Sequence, residues 1–275
     1  MKKILIAFDG LNFSEAAFNF AKKFNQLAPS QVTGVFVPQI DYANLWSYSN
    51  AAGVPGVYIP LLEQDEIEAV ATNIKHFEDQ CEKDQISYRV HKDFYDFALT
   101  ELKRESRFAD VMIVSGELFY KHFIESGHLD YLEDMLHNSE CPVLVVPEHY
   151  DFPDNNILAY DGSEESVFAI KQFAYIFPEL AKNHTLLVYA DKNERKGVPS
   201  IDYITELANQ HYKNLTVYKL DADPKKYFNS WVGEVKKPIL VSGSFRRSTI
   251  SNLLHKSFVH DIIKDHKLPV FVAHK

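Results

Sequence analysis

The feature that most constrains this fold is an internal repeat, because one pattern written twice in a chain indicates two units of the same architecture. The segment ILIAFDGLNFSEAAFNFA at 4–21 matches ILAYDGSEESVFAIKQFA at 157–174. Both run from an apolar stretch into Asp-Gly, then a serine, then a helical pattern. At an offset of 152, Asp9 matches Asp161.

The later part of each copy repeats as well. DVMIVSGELF at 110–119 matches KPILVSGSFR at 237–246, and CPVLVVPEH at 141–149 matches LPVFVAHK at 268–275. The offset here is 127, so the first copy carries about 25 extra residues in its middle.

The extra residues fall in 41–62, which is rich in Tyr, Asn, Gly and Pro. Its aromatic residues either cover the core or form a surface for a protein partner. The repeat predicts two domains, 1–148 and 154–275. The polar, Pro- and Asn-containing sequence at 148–156 suits a linker between them.

Within each copy, short apolar runs rich in β-branched residues alternate with helical patterns. Near-continuous runs such as DVMIVS and PILVSG indicate parallel strands that are covered on both faces. We therefore predict two tandem doubly wound α/β domains, each a five-stranded parallel sheet with helices on both faces. The last strands, PVLVVP and PVFVAH, are predicted to pair as an internal pseudo-dimer, because pairing covers exposed edges.

Charge and composition exclude some functions. The net charge of −9 argues against general nucleic-acid binding. The net charge is −11 for 1–148 and +2 for 149–275. This difference reflects either random variation of the surface charge or a preference of the second half for an anion. Cys81 and Cys141 form no paired motif, so we expect a reducing, cytoplasmic setting. No apolar run predicts a membrane span or a signal peptide.

Two pairs of residues stand where ligands bind in such folds, at the carboxyl ends of strands. Asp9 and Asp161 follow the first strand of each copy, where an aspartate accepts from a nucleoside or caps the next helix. Gly116 and Gly243 follow the fourth strand, where glycine allows close approach of a phosphate or makes a plain turn. Both interpretations stay open at each position.

Taken together, these features resemble the universal stress protein family over nearly the whole chain. The shared features are the first-strand Asp, the fourth-strand Gly, a helix-opening serine (Ser14 and Ser166) and the final PVxVV strand. The resemblance implies Rossmann-like domains that dimerise through the last strand. Some members of that family bind ATP through G-x2-G-x9-G-(S/T), and others lack the motif and hold no nucleotide.

When this motif is aligned with the second copy, its positions match only in part. Gly243 takes the first glycine place, Arg246 and Lys256 take the second and third, and Ser257 keeps the Ser/Thr place. Two glycines are therefore replaced by basic residues, which can bind an anion through charge-assisted hydrogen bonds. The alternative is a solvated basic loop that leads into a helix.

In the first copy only Gly116 matches the motif. Phe119, Leu129 and Asp130 take the other places. A bulky ring and a carboxylate oppose a triphosphate, so we expect this copy to be free of nucleotide.

The resemblance further implies adenine contacts. They fall at Asp9 and Val37 in the first copy and at Asp161 and Ala190 in the second. We identify no catalytic residue and no metal site.

Three functions remain open. The first is a non-enzymatic, regulatory stress-response protein that binds ATP or another adenine nucleotide, or a different anion, in its second half. The second is a weak ATP hydrolase or nucleotidyl-transfer enzyme, although phosphoryl transfer needs a metal-holding carboxylate and a positioned nucleophile, and only Asp161 suggests the former. The third is a ligand-free scaffold for protein partners. The resemblance makes a homodimer plausible, and neither nucleic acid nor membrane is an expected partner.

Overall fold

The structure is a computed structural model. It describes residues 1–37, 64–92, 98–118, 131–190, 197–220, 231–243 and 268–275, with the backbone alone at 98 and 131–134. The predicted insertion at 41–62 lies outside the described residues.

The strands fall where the repeat predicts them, five in each half of the described chain. Those of the first half are β1 Lys2–Phe8, β2 Ser30–Phe36, β3 Ser87–Lys92, β4 Val111–Ser115 and β5 Val143–Val146. Those of the second half are β6 Asn155–Ala159, β7 His184–Ala190, β8 Asn214–Leu220, β9 Pro238–Gly243 and β10 Val270–Ala273.

Helices connect the strands. They are α1 Glu15–Leu27, α2 Gln64–Lys83, α3 Ala98–Ser106, α4 Tyr131–Asn138, α5 Glu164–Ile176 and α6 Ile201–His211, and a 3-10 turn follows α5 at Leu180–Lys182. Among the described residues, no helix is both long enough and apolar enough to cross a membrane.

The strands form one ten-stranded sheet in the order β3-β2-β1-β4-β5-β10-β9-β6-β7-β8. Within each half all pairs are parallel. The halves meet where β5 and β10 run antiparallel, with Leu144 opposite Phe271. This confirms the predicted pairing of the last strands. It corrects the prediction of two five-stranded sheets, because that pairing makes the two sets of strands continuous.

Both faces of the sheet are covered, as predicted. Along β1, Ile4, Ile6 and Phe8 pack into one core cluster together with α1 and α2, whereas Leu5 and Ala7 pack into a second cluster on the other face. Successive side chains of a strand point to opposite faces, so one apolar run supplies both clusters. This explains why the strands read as continuous apolar runs.

An aromatic cluster joins the halves on one face of the sheet. Phe177, which follows α5, is fully buried. Its ring meets Phe24 of α1 edge-on at a centroid distance of 4.7 Å. It also packs against Phe173 at 5.5 Å and Phe271 of β10 at 5.9 Å. The two halves therefore share a core as well as a strand pair.

The extra length of the first half lies between β2 and β3, as the repeat predicts. Part of it is helical, because α2 has 20 residues and its counterpart α6 has 11. The sequence assigned all of the extra length to 41–62, since helical periodicity alone does not show where a longer helix exceeds a shorter one.

Candidate functional site

The candidate site lies at the carboxyl edge of the second half, where the strand order switches direction. There β6 lies between β7 and β9 in parallel register. The three predicted residues Asp161, Ala190 and Gly243 therefore come to the same edge at the ends of three adjacent strands. This is where ligands bind in doubly wound sheets.

Asp161 organises the turn that leads into α5. Its Oδ1 accepts hydrogen bonds from the Ser163 backbone N–H at 2.9 Å and from the Ser163 hydroxyl at 2.6 Å. Gly162, between them, has a φ of 86°, which favours glycine. Asp161 therefore does not itself cap α5, which is the structural role that the sequence left open for it; instead it is hydrogen-bonded to the capping residue, Ser163.

The serine that caps α5 is Ser163. Its hydroxyl accepts from the Ser166 backbone N–H at 3.1 Å. In the first half the cap of α1 is Ser14, which accepts from Ala17 N–H. The sequence matched Ser14 with Ser166 as helix-opening residues, and for Ser166 this was wrong. Because Asp161 holds Ser163 in capping geometry, α5 begins one turn earlier.

Gly243 is required by the packing of α5 against β9. A Cβ placed on Gly243 would lie 2.7 Å from the Glu165 carbonyl carbon and 2.7 Å from the Ser166 backbone nitrogen. Those atoms belong to the helix backbone and cannot rotate away. Helix packing therefore explains this glycine without reference to a phosphate.

We expect Gly243→Ala to lower the free energy of unfolding by about 1–3 kcal/mol, because the methyl group overpacks the contact between strand and helix. Urea denaturation followed by circular dichroism measures this loss. The matched control is Gly197→Ala, since a Cβ there meets nothing within 4 Å. Equal stabilities of the two variants would contradict the packing role of Gly243.

The remaining predicted residues of this site, Arg246, Lys256 and Ser257, lie outside the described residues. Their contribution rests on sequence alone.

In the first half, Asp9 is buried and bound within its own loop. Its Oδ1 accepts from Asn12 N–H at 2.5 Å, and its Oδ2 accepts from Asn12 Nδ2 at 2.8 Å. Val37 is also buried, and its backbone N–H donates to the Phe8 carbonyl at 3.1 Å. Gly116 follows β4 in a helical turn, which Ser115 caps by accepting from Leu118 N–H at 3.2 Å.

Sequence reasoning missed Glu148. The Ser14 hydroxyl donates to its Oε1 at 2.5 Å, which places a carboxylate at the N-terminus of α1. A negative charge there is stabilised by the helix dipole and repels a bound anion. The repeat contained the signal, because Glu148 matches Lys275 and the two copies carry opposite charge at this place.

The two cysteines are buried, and burial raises the pKa of each thiol to about 12. Both are therefore protonated near neutral pH and unsuited to nucleophilic or metal-binding roles. Within the described ranges, no group of three or more His, Cys, Asp or Glu side chains could hold a metal ion.

Comparison with solved structures identifies a protein with a similar fold. A universal stress protein from Archaeoglobus fulgidus DSM 4304 has a similar structure, with a TM-score of 0.68 at 15% identity, over 100% of this chain and 96% of that one. A universal stress protein family protein from Arabidopsis thaliana, solved with AMP bound, matches at 13% identity with a TM-score of 0.34, over 54% of this chain and 93% of that one. No protein-family model and no curated protein matches the sequence. The first likeness confirms the predicted resemblance at the level of the fold.

Proposed function

We propose that this chain, which has the universal stress protein fold, is a tandem, non-enzymatic regulatory protein that binds an adenine nucleotide in its second half. The observation that carries this proposal is the common position of Asp161, Ala190 and Gly243 at the switch in strand order. In this proposal the domains are 1–148 and 154–275, and the protein acts in the cytoplasm as a stress-response binding protein.

In the proposed site, two sets of residues bind different parts of the nucleotide. Asp161 accepts from the ribose or adenine, and the backbone at Ala190 contacts the base. Arg246, Lys256 and Ser257 follow β9 in the sequence and bind the phosphates in place of the lost glycines. Charged side chains reach a phosphate at their tips, so this arrangement does not need the close backbone approach that glycines allow.

The first half is proposed to hold no nucleotide. Asp9 is already bound on both oxygens by Asn12. Glu148 brings a carboxylate to the N-terminus of α1, where an anion would otherwise be favoured. Binding through Asp9, Val37 and Gly116 would have to overcome that charge.

One observation favours a competing function, a ligand-free scaffold. Because Gly243 is explained by its contact with the α5 backbone, the glycine that begins the motif is not by itself evidence of phosphate binding. Whether Arg246 and Lys256 bind a phosphate therefore distinguishes the two functions.

We expect calorimetric titration of the full chain with ATP to give one site. Arg246→Ala and Lys256→Ala should each weaken binding by about 1.5–3 kcal/mol, roughly 10- to 150-fold in Kd, because each removes a charged hydrogen bond. Asp161→Asn keeps an acceptor for Ser163 and tests the ribose contact. Arg89→Ala, which removes an exposed charge on β3, is the matched control and should bind as the parent chain does.

Two results would contradict the proposal. One is the absence of both heat and co-purified nucleotide, measured by anion-exchange chromatography of the denatured protein with mass detection. The other is binding that is equal in Arg246→Ala, Lys256→Ala and the parent chain. Slow loss of ATP that depends on magnesium and disappears in Asp161→Asn would instead favour a hydrolase.

A further inference from the structure

The two halves differ in how they fill the space between their first two helices. In the first half, three residues, Leu11, Asn12 and Phe13, stand between Gly10 and the cap Ser14. In the second half, Gly162 is followed directly by the cap Ser163. The second half therefore lacks the side chains that this loop supplies to the first.

In the first half, Phe13 fills the space between α1 and α2. Its ring stacks on Phe8 at the end of β1, with a centroid distance of 4.8 Å and an interplanar angle of 17°. It also contacts Phe18, the fourth residue of α1, at 5.9 Å, and His76 of α2 at 4.5 Å. A residue before the cap that packs on the fourth helical residue is a hydrophobic staple.

Further contacts hold this loop in place. Asn73 of α2 donates from Nδ2 to the carbonyls of Gly10 and Leu11, both at 2.9 Å. His76 Nε2 lies 2.9 Å from Glu15 Oε1. The first half thus closes its own space between helices with an aromatic ring, and ties that ring's loop to α2.

In the second half the corresponding space is a groove of about 460 Å³ between α5 and α6. Tyr160 takes the place of Phe8 after the first strand, and Val167 takes the place of Phe18 four residues after the cap. Phe168 of α5 and Ile204 and Leu207 of α6 complete an apolar lining. The volume lies in the range of pockets that bind small molecules.

The rim of the groove carries positive charge. Lys171 and Lys275 line it together with one carboxylate, Glu164. Lys275 Nζ lies 3.5 Å from Glu164 Oε2, and both side chains are about 70% exposed, so this ion pair is weak. Tyr203 also lines the groove and is 78% exposed, which leaves an aromatic ring available for a ligand to cover.

We infer that this groove binds a small aromatic anion. The ring would take the place against Tyr160 and Val167 that Phe13 takes in the first half, and the carboxylate, sulfonate or phosphate would be bound by Lys171 and Lys275. The groove adjoins the proposed nucleotide site, because Gly162 and Ser163 in its lining directly follow Asp161. The two sites differ in their charged groups: Lys171 and Lys275 line the groove, whereas Arg246 and Lys256 of the proposed nucleotide site follow β9 in the sequence.

The experiment uses the aromatic sulfonate 8-anilinonaphthalene-1-sulfonate and follows its fluorescence on titration with the full chain. We expect saturable binding at one site. Val167→Trp fills the groove as Phe13 does in the first half, and Lys171→Glu and Lys275→Glu reverse the charge of the rim. Each should weaken binding tenfold or more, and benzoate should displace the probe whereas neutral benzyl alcohol should not.

Two control variants test whether the probe binds in this groove and nowhere else. Lys236→Glu reverses an exposed charge just before β9, at the opposite edge of the sheet, and should leave binding unchanged. Arg246→Ala, from the proposed nucleotide site, should also leave it unchanged, so the two proposals can fail independently. Because Lys171 and Lys275 are surface charges, their variants test the inference even if Val167→Trp does not fold.

Unsaturable binding would overturn the inference, and so would equal affinity in the parent chain, Lys171→Glu and Lys275→Glu. Loss of probe binding in Arg246→Ala, with both groove lysine variants unaffected, would place the aromatic anion elsewhere and overturn it as well.

Discussion

Phe177→Ala is expected to lower the free energy of unfolding by about 3–5 kcal/mol, the largest loss that we predict for a single substitution in this chain. The ring is fully buried and packs against both halves of the molecule, through Phe24 on one side and Phe173 and Phe271 on the other. Truncation removes the transfer free energy of the ring and leaves a cavity that the surrounding rings cannot close without moving. Urea denaturation followed by circular dichroism measures the loss.

Two further variants identify the cause. Phe108→Ala removes a ring that is 65% exposed and should change stability by no more than about 0.5 kcal/mol. A double-mutant cycle of Phe24→Ala with Phe177→Ala should give a coupling of about 0.5–1.5 kcal/mol, because the two rings meet edge-on at 4.7 Å across the halves. A loss below about 1 kcal/mol for Phe177→Ala would mean that the halves do not depend on this shared core.

Gly162→Ala is expected to cost about 2–5 kcal/mol, for two separate reasons. A φ of 86° is unfavourable by about 1–2 kcal/mol for any residue with a Cβ. A Cβ at this position would also lie 2.8 Å from the Cβ of Pro199, and overpacking of that kind costs about 1–3 kcal/mol. Urea denaturation of the parent chain and of the variant measures the total loss in the free energy of unfolding.

The two reasons can be separated experimentally. In a Pro199→Gly background the steric part disappears, so Gly162→Ala should cost only its conformational part. Gly197→Ala, in open space, serves as the neutral control. A cost of Gly162→Ala that is the same with and without Pro199 would show that the clash is relieved by small shifts of the loop.

The sequence predicted the architecture because the physical signals for it are local and repeated. Buried parallel strands need continuous apolar runs, and the same runs occur at matched spacing in both copies. The pairing of β5 with β10 was also predictable, since PVLVVP and PVFVAH would otherwise be apolar strands at open edges. Resemblance to a known family, drawn from a few residues at matched places in the two copies, led to the fold that a solved structure of that family shows.

Details of the site were less predictable. The repeat aligned Ser14 with Ser166, but the cap of α5 is Ser163, because a hydrogen bond to Asp161 selects among nearby serines. Gly243 was open to two interpretations until the α5 backbone was seen to lie against it. Neither contact corresponds to a periodic pattern of residues in the sequence.

The order of strands and helices, their division into two similar halves and the types of residue at the strand ends could all be read from the sequence. These features follow from burial and backbone conformation, which act over a few neighbouring residues. Only the folded molecule reveals that one half fills the space between its helices with Phe13, while the other leaves a groove against Tyr160. The three extra residues of the first loop are visible in the sequence, but the position of the Phe13 ring between α1 and α2 depends on contacts between elements far apart in the chain.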